Sequence, residues 1–188
     1  VVRQSLTGAP LDPAIAATLE QTIKQLLALG HQLDELTLNI DPRQLFGAHG
    51  TALGTALRVQ IHDREQVLGR AATAQDLEKI TLVNLERSKA TSGEDLYRAR
   101  QAFESIGATM EKHFERYDVI LSPVTGSLTP KLGLLSLDQP WDSYAHQAMG
   151  SAGFTVIANV SGQPAISLPL GQSDDGLPVG MMFTARLG

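Results

Sequence analysis

The stretch 159–169 constrains the fold more than any other part of the chain. Gly162 can take the left-handed conformation that closes a helix, and Pro164 cannot continue a helix and biases the residue before it toward extended backbone. The apolar run that begins at Ala165 predicts a strand buried on both faces. That strand is expected to stop near Pro169, because proline has no N–H to donate.

Two further segments extend this pattern into a sheet. Gly176-Leu177-Pro178-Val179-Gly180 is a turn that opens a second apolar run at 181–183, so a helix and two strands follow one another as an αββ unit. Upstream, the run 119–121 predicts another buried strand that leads into Pro123. We therefore expect Ile166 and Val179 to lie in one common sheet.

Helix signals account for most of the remaining chain. Asp12 and Asp41 are each followed by proline, as at the N-cap and first position of a helix, and apolar residues recur at helical spacing after both. The polar segment 74–90 is expected to be helical, and Ser92 with Asp95 resembles a capping box that starts a long helix. The segment 141–160 predicts helix, and 126–140 predicts a loop.

The order of these elements predicts the fold class α/β, with a mixed β-sheet covered by α-helices. Val1–Arg3 and His31–Leu36 flank the first helix and are expected to form strands, which would give a parallel βαβ unit. Nothing in the sequence marks an interdomain linker, so residues 1–188 are expected to form a single partial domain.

The composition of the chain limits the classes of binding partner that it can have. The chain has 15 Lys and Arg against 20 Asp and Glu, a net charge of -5, which disfavours nucleic acid and anionic membranes. It contains no cysteine, which excludes disulfides and thiolate chemistry. No apolar run approaches the roughly 20 residues of a membrane helix. We expect a cytoplasmic protein with no nucleic-acid or membrane partner.

The punctuated C-terminal segments resemble the amidase signature family. The matching positions are Asn159, Gly162, Pro164, Ala165, Pro169, Gly176, Leu177, Pro178, Val179 and Gly180. The segment 117–125 is similar to the aspartate, strand and Pro-x-Thr element of that family, whereas Met182 stands where many members have Gln. The resemblance runs from about Pro10 to Phe183, covers only the C-terminal portion of such an enzyme and implies a partial amidase-signature fold.

The resemblance also implies a chemistry. Members of the family hydrolyse amides with a serine nucleophile, a second serine on a cis peptide bond and a lysine, without a cofactor. This sequence has no consecutive serines, and its lysines lack the family context, so no catalytic residue is assigned. We expect the reactive residues to precede Val1. The expected partners are a small-molecule amide substrate and the remainder of an amidase chain or a homo-oligomer partner.

Four residues are candidates for substrate binding. By resemblance, Thr125, Trp141 and Phe154 are expected near the substrate pocket. Asn159 can either cap a helix end or present its amide to a ligand. No metal site is expected, because histidines such as His49 lack the spacing of metal ligands.

Two classes of function fit these observations. In the first, the chain is a segment of a serine-dependent amidase that supplies pocket walls and sheet strands. In the second, it is a non-catalytic α/β binding or interaction module derived from an amidase. The coding sequence upstream of Val1 distinguishes them, because paired serines and an earlier lysine there favour the enzyme.

Overall fold

The computed structural model describes all 188 residues, which form six helices and three strands. The elements, in chain order, are α1 Pro13–Ala28, α2 Pro42–Leu68, α3 Lys79–Ser88, α4 Gly93–Phe114, β1 Val119–Pro123, α5 Trp141–Ala152, α6 Thr155–Ser161, β2 Ala165–Gln172 and β3 Pro178–Ala185. They divide into two compact units. The sheet unit comprises 1–40, 106–131 and 148–188, and the helical unit comprises 41–105 and 132–147.

The sheet has the strand order β1-β3-β2, and both pairings are antiparallel. Ile166 lies opposite Phe183, and Val179 lies opposite Gly171, so the predicted common sheet is confirmed. Gly162 ends α6 in the left-handed conformation with φ 81°, as its place two residues before Pro164 predicted. The expected α/β class is confirmed.

Strand β2 differs from the prediction in two ways. It continues past Pro169 to Gln172, with a shift in register between Pro169 and Gly171. It is also largely exposed, and 57% of Ile166 is accessible. Both differences have one cause: β2 lies at the sheet edge, where a proline without an N–H is tolerated and one flank has no neighbour. The prediction that this strand is buried on both faces and stops near Pro169 is wrong.

The predicted parallel βαβ unit is not formed. Val1–Arg3 and His31–Leu36 form neither strand nor helix. Val2 N–H donates to the Leu121 carbonyl at 2.8 Å, and Leu36 N–H donates to the Val1 carbonyl at 2.8 Å. Isolated hydrogen bonds join Val1–Arg3 to β1 and His31–Leu36 to Val1, but they do not build the repeated ladder that defines a strand.

Helix α1 packs against all three strands and makes the core of the sheet unit. The buried side chains of this core are Ile15, Leu19, Leu121, Val179 and Met181. Burying each stabilises the fold by about 1.5–3 kcal/mol.

One glycine in β2 lets α1 lie this close to the sheet. A Cβ built on Gly171 would lie 2.3 Å from Thr18 Oγ1 of α1. Residue 171 therefore has no room for a side chain.

The helical unit consists of α2, α3 and the first part of α4, with the start of α5. Helix α2 begins as predicted, with the Asp41 side chain accepting from the Arg43 N–H at 2.9 Å. It continues through Gly54 because that glycine packs on α3, where a built Cβ would lie 3.0 Å from Ser88 Cβ. None of the six helices of the protein combines the length and apolarity needed to cross a membrane.

Candidate functional site

The loop that follows β1 is held from two sides. Val124 N–H donates to the Gly180 carbonyl at 3.1 Å, which extends the contact of β1 with β3. Asp12 N–H donates to the Gly126 carbonyl at 2.9 Å, which joins the loop to the N-cap of α1. Between these anchors, the half-buried Thr125 donates its hydroxyl to the Ser127 carbonyl at 2.9 Å. The loop is a fixed turn whose threonine already has one intramolecular acceptor.

Phe154 supports this loop from inside the protein. It lies between α5 and α6 and is only 1% exposed. A Cβ built on Gly126 would lie 3.9 Å from Phe154 Cε2 and 3.1 Å from the Gly150 carbonyl oxygen. The structure therefore brings Phe154 to the residue next to Thr125, with its ring covered by protein.

The helix predicted over 141–160 is interrupted at Gly153 and Phe154. Leu6 N–H donates to the Gly153 carbonyl at 3.1 Å, so the N-terminal segment passes directly beneath the break. A Cβ built on Gly153 would lie 1.9 Å from Ser5 Oγ. This close crossing separates α5 from α6 and determines where Phe154 enters the core.

Asn159 lies on α6 with an exposed side chain. The C-cap of this helix is Gly162, whose N–H donates to the Ala158 carbonyl at 2.9 Å. Of the two roles that the sequence left open for Asn159, the structure assigns helix capping to Gly162. The Asn159 amide is accessible to a ligand.

A polar contact that the sequence did not reveal fixes the start of β2. Gln163 is only 5% exposed, and its Nε2 donates to Glu111 Oε1 at 2.8 Å. The Leu187 N–H donates to the same carboxylate oxygen at 3.3 Å. Glu111 thereby joins the residues that precede β2 and follow β3, at the open end of this strand pair, to α4. The single hint in the sequence is a polar residue between Gly162 and Pro164.

His113 is a histidine of the sheet unit whose pKa is lowered by burial. It lies in the last turn of α4, and its Nε2 is buried without a hydrogen-bond partner. Desolvation lowers the pKa of His113 because the charged imidazolium loses hydration and gains no acceptor. In the folded protein this histidine favours its neutral form.

No group of three or more His, Asp or Glu side chains is arranged to hold a metal ion.

Trp141 belongs to the helical unit, where it begins α5. The guanidinium carbon of Arg87 lies 4.0 Å from the centroid of its ring. The Tyr144 ring lies 6.4 Å away and is tilted by 50°. One face of the indole is therefore covered by a cation. The sequence did not predict this contact, because Arg87 lies in the last turn of α3, where a basic residue is common and points to no particular partner.

The protein belongs to the α/β class, because α1 packs against a three-stranded sheet that fixed loops flank. The sequence profile described as Amidase matches residues 1–188, and the chain therefore belongs to the amidase family. The resemblance carried by the Gly- and Pro-punctuated segments is confirmed.

Two curated relatives and one solved structure give the extent of this similarity. The chain is 30% identical to 6-aminohexanoate-cyclic-dimer hydrolase of Paenarthrobacter ureafaciens, over 95% of this chain and 38% of that protein. It is 31% identical to the protein of the same name from Pseudomonas sp. (strain NK87), over 95% of this chain and 38% of that protein. The structure of 6-aminohexanoate cyclic dimer hydrolase complexed with substrate matches with a TM-score of 0.87 at 27% identity, covering 98% of this chain and 40% of that one.

The chain spans about two fifths of the length of the curated relatives it matches. The match corresponds to the C-terminal portion of amidase-signature enzymes, which agrees with the position predicted from the resemblance. The expected partial amidase-signature fold is confirmed.

Proposed function

We propose that this chain is part of a serine-dependent amidase that hydrolyses carboxylic amide bonds of a small-molecule substrate. Membership of the amidase family over residues 1–188 is the observation that carries the proposal. The likeness to a cyclic-dimer hydrolase complexed with substrate supports it. We further propose that residues 1–188 form one partial domain of a cytoplasmic enzyme, completed by the rest of an amidase chain or by a homo-oligomer partner.

In this proposal the chain supplies the sheet core and walls of the substrate pocket. The reactive serines and lysine lie outside the chain, because it contains no consecutive serines. Thr125 offers a hydroxyl whose oxygen still has free acceptor capacity, and Asn159 offers an exposed amide. Phe154 holds the Thr125 loop in place from behind. Trp141 is assigned to substrate binding on the family resemblance alone.

The proposal is tested in an intact amidase that contains this chain. Thr125→Ala and Asn159→Ala are expected to raise KM for the preferred amide severalfold with little change in kcat, because uniform binding contacts are lost. Trp141→Ala is expected to alter substrate preference across a panel of amides.

The matched control is Thr129→Ala, since Thr129 is an exposed threonine in the same loop. Unchanged kinetics in all three site variants would remove these residues from the site. If the intact protein has no amidase activity, and replacing its upstream serine changes nothing, the result would instead favour the non-catalytic module.

A further inference from the structure

The helical unit contains a cleft whose floor is made of methyl groups. It lies between α2, the α3–α4 connection and the first half of α4, with a volume of about 430 Å³. Ala48, Ala99 and Ala102 line it and are buried. This volume lies within the range of about 300–1,000 Å³ that is typical of small-molecule sites. The alanine floor suits a short aliphatic chain.

Three charged side chains line the cleft, and two of them already have partners within the chain. Asp95 Oδ2 accepts from the Ser92 N–H at 2.9 Å and from the Ser92 hydroxyl at 2.7 Å. Arg98 directs Nε and Nη2 to Glu94 Oε1, at 3.0 and 2.6 Å. The third, Arg87, stacks on an aromatic ring, and none of the ion pairs of the chain includes it. Its N–H groups are therefore the unmatched charge of the cleft.

Trp141 holds Arg87 in a defined place. The guanidinium lies over the indole ring, 4.0 Å from the centroid, as in a cation–π contact. Stacking occupies one face of the guanidinium and leaves its N–H edge available. A planar guanidinium edge matches the two oxygens of a carboxylate, which it binds with two parallel hydrogen bonds.

We propose that this cleft is a binding site for a short-chain aliphatic carboxylate. Arg87 receives the carboxylate, and the aliphatic chain lies on the alanine floor. Gln44 and Thr51 also line the cleft and supply neutral donors for the remaining lone pairs of the two carboxylate oxygens. The proposal goes beyond the amidase function, because binding at Arg87 requires neither serine nor hydrolysis. The two agree chemically, since hydrolysis of an amide releases a carboxylate and an amine.

The chain carries its own reporter for this site. Trp141 is its one tryptophan, and it touches the side chain that is proposed to bind the ligand. Tryptophan fluorescence is recorded while the chain is titrated with hexanoate at constant ionic strength. Hexanamide serves as the uncharged isostere. We expect a saturable change with hexanoate and binding at least about tenfold weaker with hexanamide, because a charge-assisted bidentate contact is lost.

Two arginine variants separate a specific site from general charge attraction. Arg87→Gln is expected to weaken hexanoate binding about tenfold or more. Binding to this variant is measured by calorimetry, because loss of the Arg87 stack also changes the fluorescence of Trp141. Arg98→Gln removes the same charge from the same cleft and is expected to leave binding within about twofold, since that guanidinium is already paired. Equal binding of hexanoate and hexanamide, equal effects of the two variants, or no saturable binding would each overturn the proposal.

Discussion

At Gly153 the main chain crosses the N-terminal segment so closely that no side chain fits. We expect Gly153→Ala to destabilise the protein by roughly 1–3 kcal/mol, because the added methyl group forces Ser5 or the α5–α6 break to move. Urea unfolding followed by circular dichroism measures the change.

Gly150 provides the matched control for this substitution. It lies on α5, and a built Cβ there comes no closer than 3.9 Å to Ser127 Oγ. Gly150→Ala is expected to be neutral or to stabilise by up to about 1 kcal/mol, because alanine is the better helix former. Equal effects of the two substitutions would contradict the crossing described for Gly153.

We expect His113 to make the stability of the fold depend on pH. Its pKa is lowered in the folded state, so the unfolded chain binds a proton more readily. Stability should therefore be highest above the ordinary histidine pKa of about 6.5 and fall as the pH drops below that value. Replacing His113 with Gln removes the titrating group and should flatten this part of the curve.

Urea midpoints at pH 7.5 and pH 5.5 measure the effect. His31→Gln is the control, because His31 is exposed and should keep the pH dependence of the unaltered protein. If His113→Gln and His31→Gln lose the same stability between the two pH values, the desolvation of His113 has no thermodynamic role.

The start of α4 shows how an element is stabilised locally. The Ser92 hydroxyl accepts from the Asp95 N–H at 3.1 Å, and Asp95 Oδ2 accepts from the Ser92 N–H at 2.9 Å. This reciprocal capping box was predicted from the sequence and is confirmed. Ser92→Ala is expected to cost about 1 kcal/mol of stability by thermal unfolding, because the Asp95 N–H loses its acceptor. Ser143→Ala, at an exposed position within α5, should change little, and an equal loss there would argue against the cap.

Strand β2 presents an open sheet edge with apolar side chains. Ile166 is 57% exposed on this edge, where backbone N–H and C=O groups have no neighbouring strand. Ile166→Lys is expected to reduce aggregation, followed by light scattering, with a stability change within about 0.5 kcal/mol. Val67→Lys is the control, because Val67 is 75% exposed but lies on a helix. A similar reduction in both variants would mean that apolar exposure, and not the strand edge, drives association.

At the scale of the whole molecule, the chain holds a sheet core and fixed loops but no paired serines. It spans about two fifths of the length of relatives such as the Paenarthrobacter ureafaciens hydrolase. We expect the purified chain to hydrolyse no amide above background. Turnover that is lost when a serine of this chain is replaced would overturn the assignment of the catalytic residues to another part of the enzyme. An intact amidase assayed in parallel serves as the positive control.

Local sequence signals predicted where several elements begin or end. Asp12 with Pro13, Ser92 with Asp95 and Gly162 each act through backbone hydrogen bonds or a left-handed turn a few residues away, so their effect can be foreseen without a fold. The burial of β2 was wrongly predicted. An apolar run has the same pattern in a central strand and at an edge, and only the strand order distinguishes them.

The candidate site was also predicted only in part. The sequence pointed to Thr125, Phe154, Asn159 and Trp141, but it did not place Arg87 over the indole or Gln163 beside Glu111.

By itself, the sequence determined the family of this protein, the starts of α1, α2 and α4 and the end of α6, because caps and turns act over a few residues. The tertiary structure alone decided which strand lies at the edge and which polar groups meet. The Gln163–Glu111 contact joins residues 52 positions apart, and no local pattern encodes a pairing of that range.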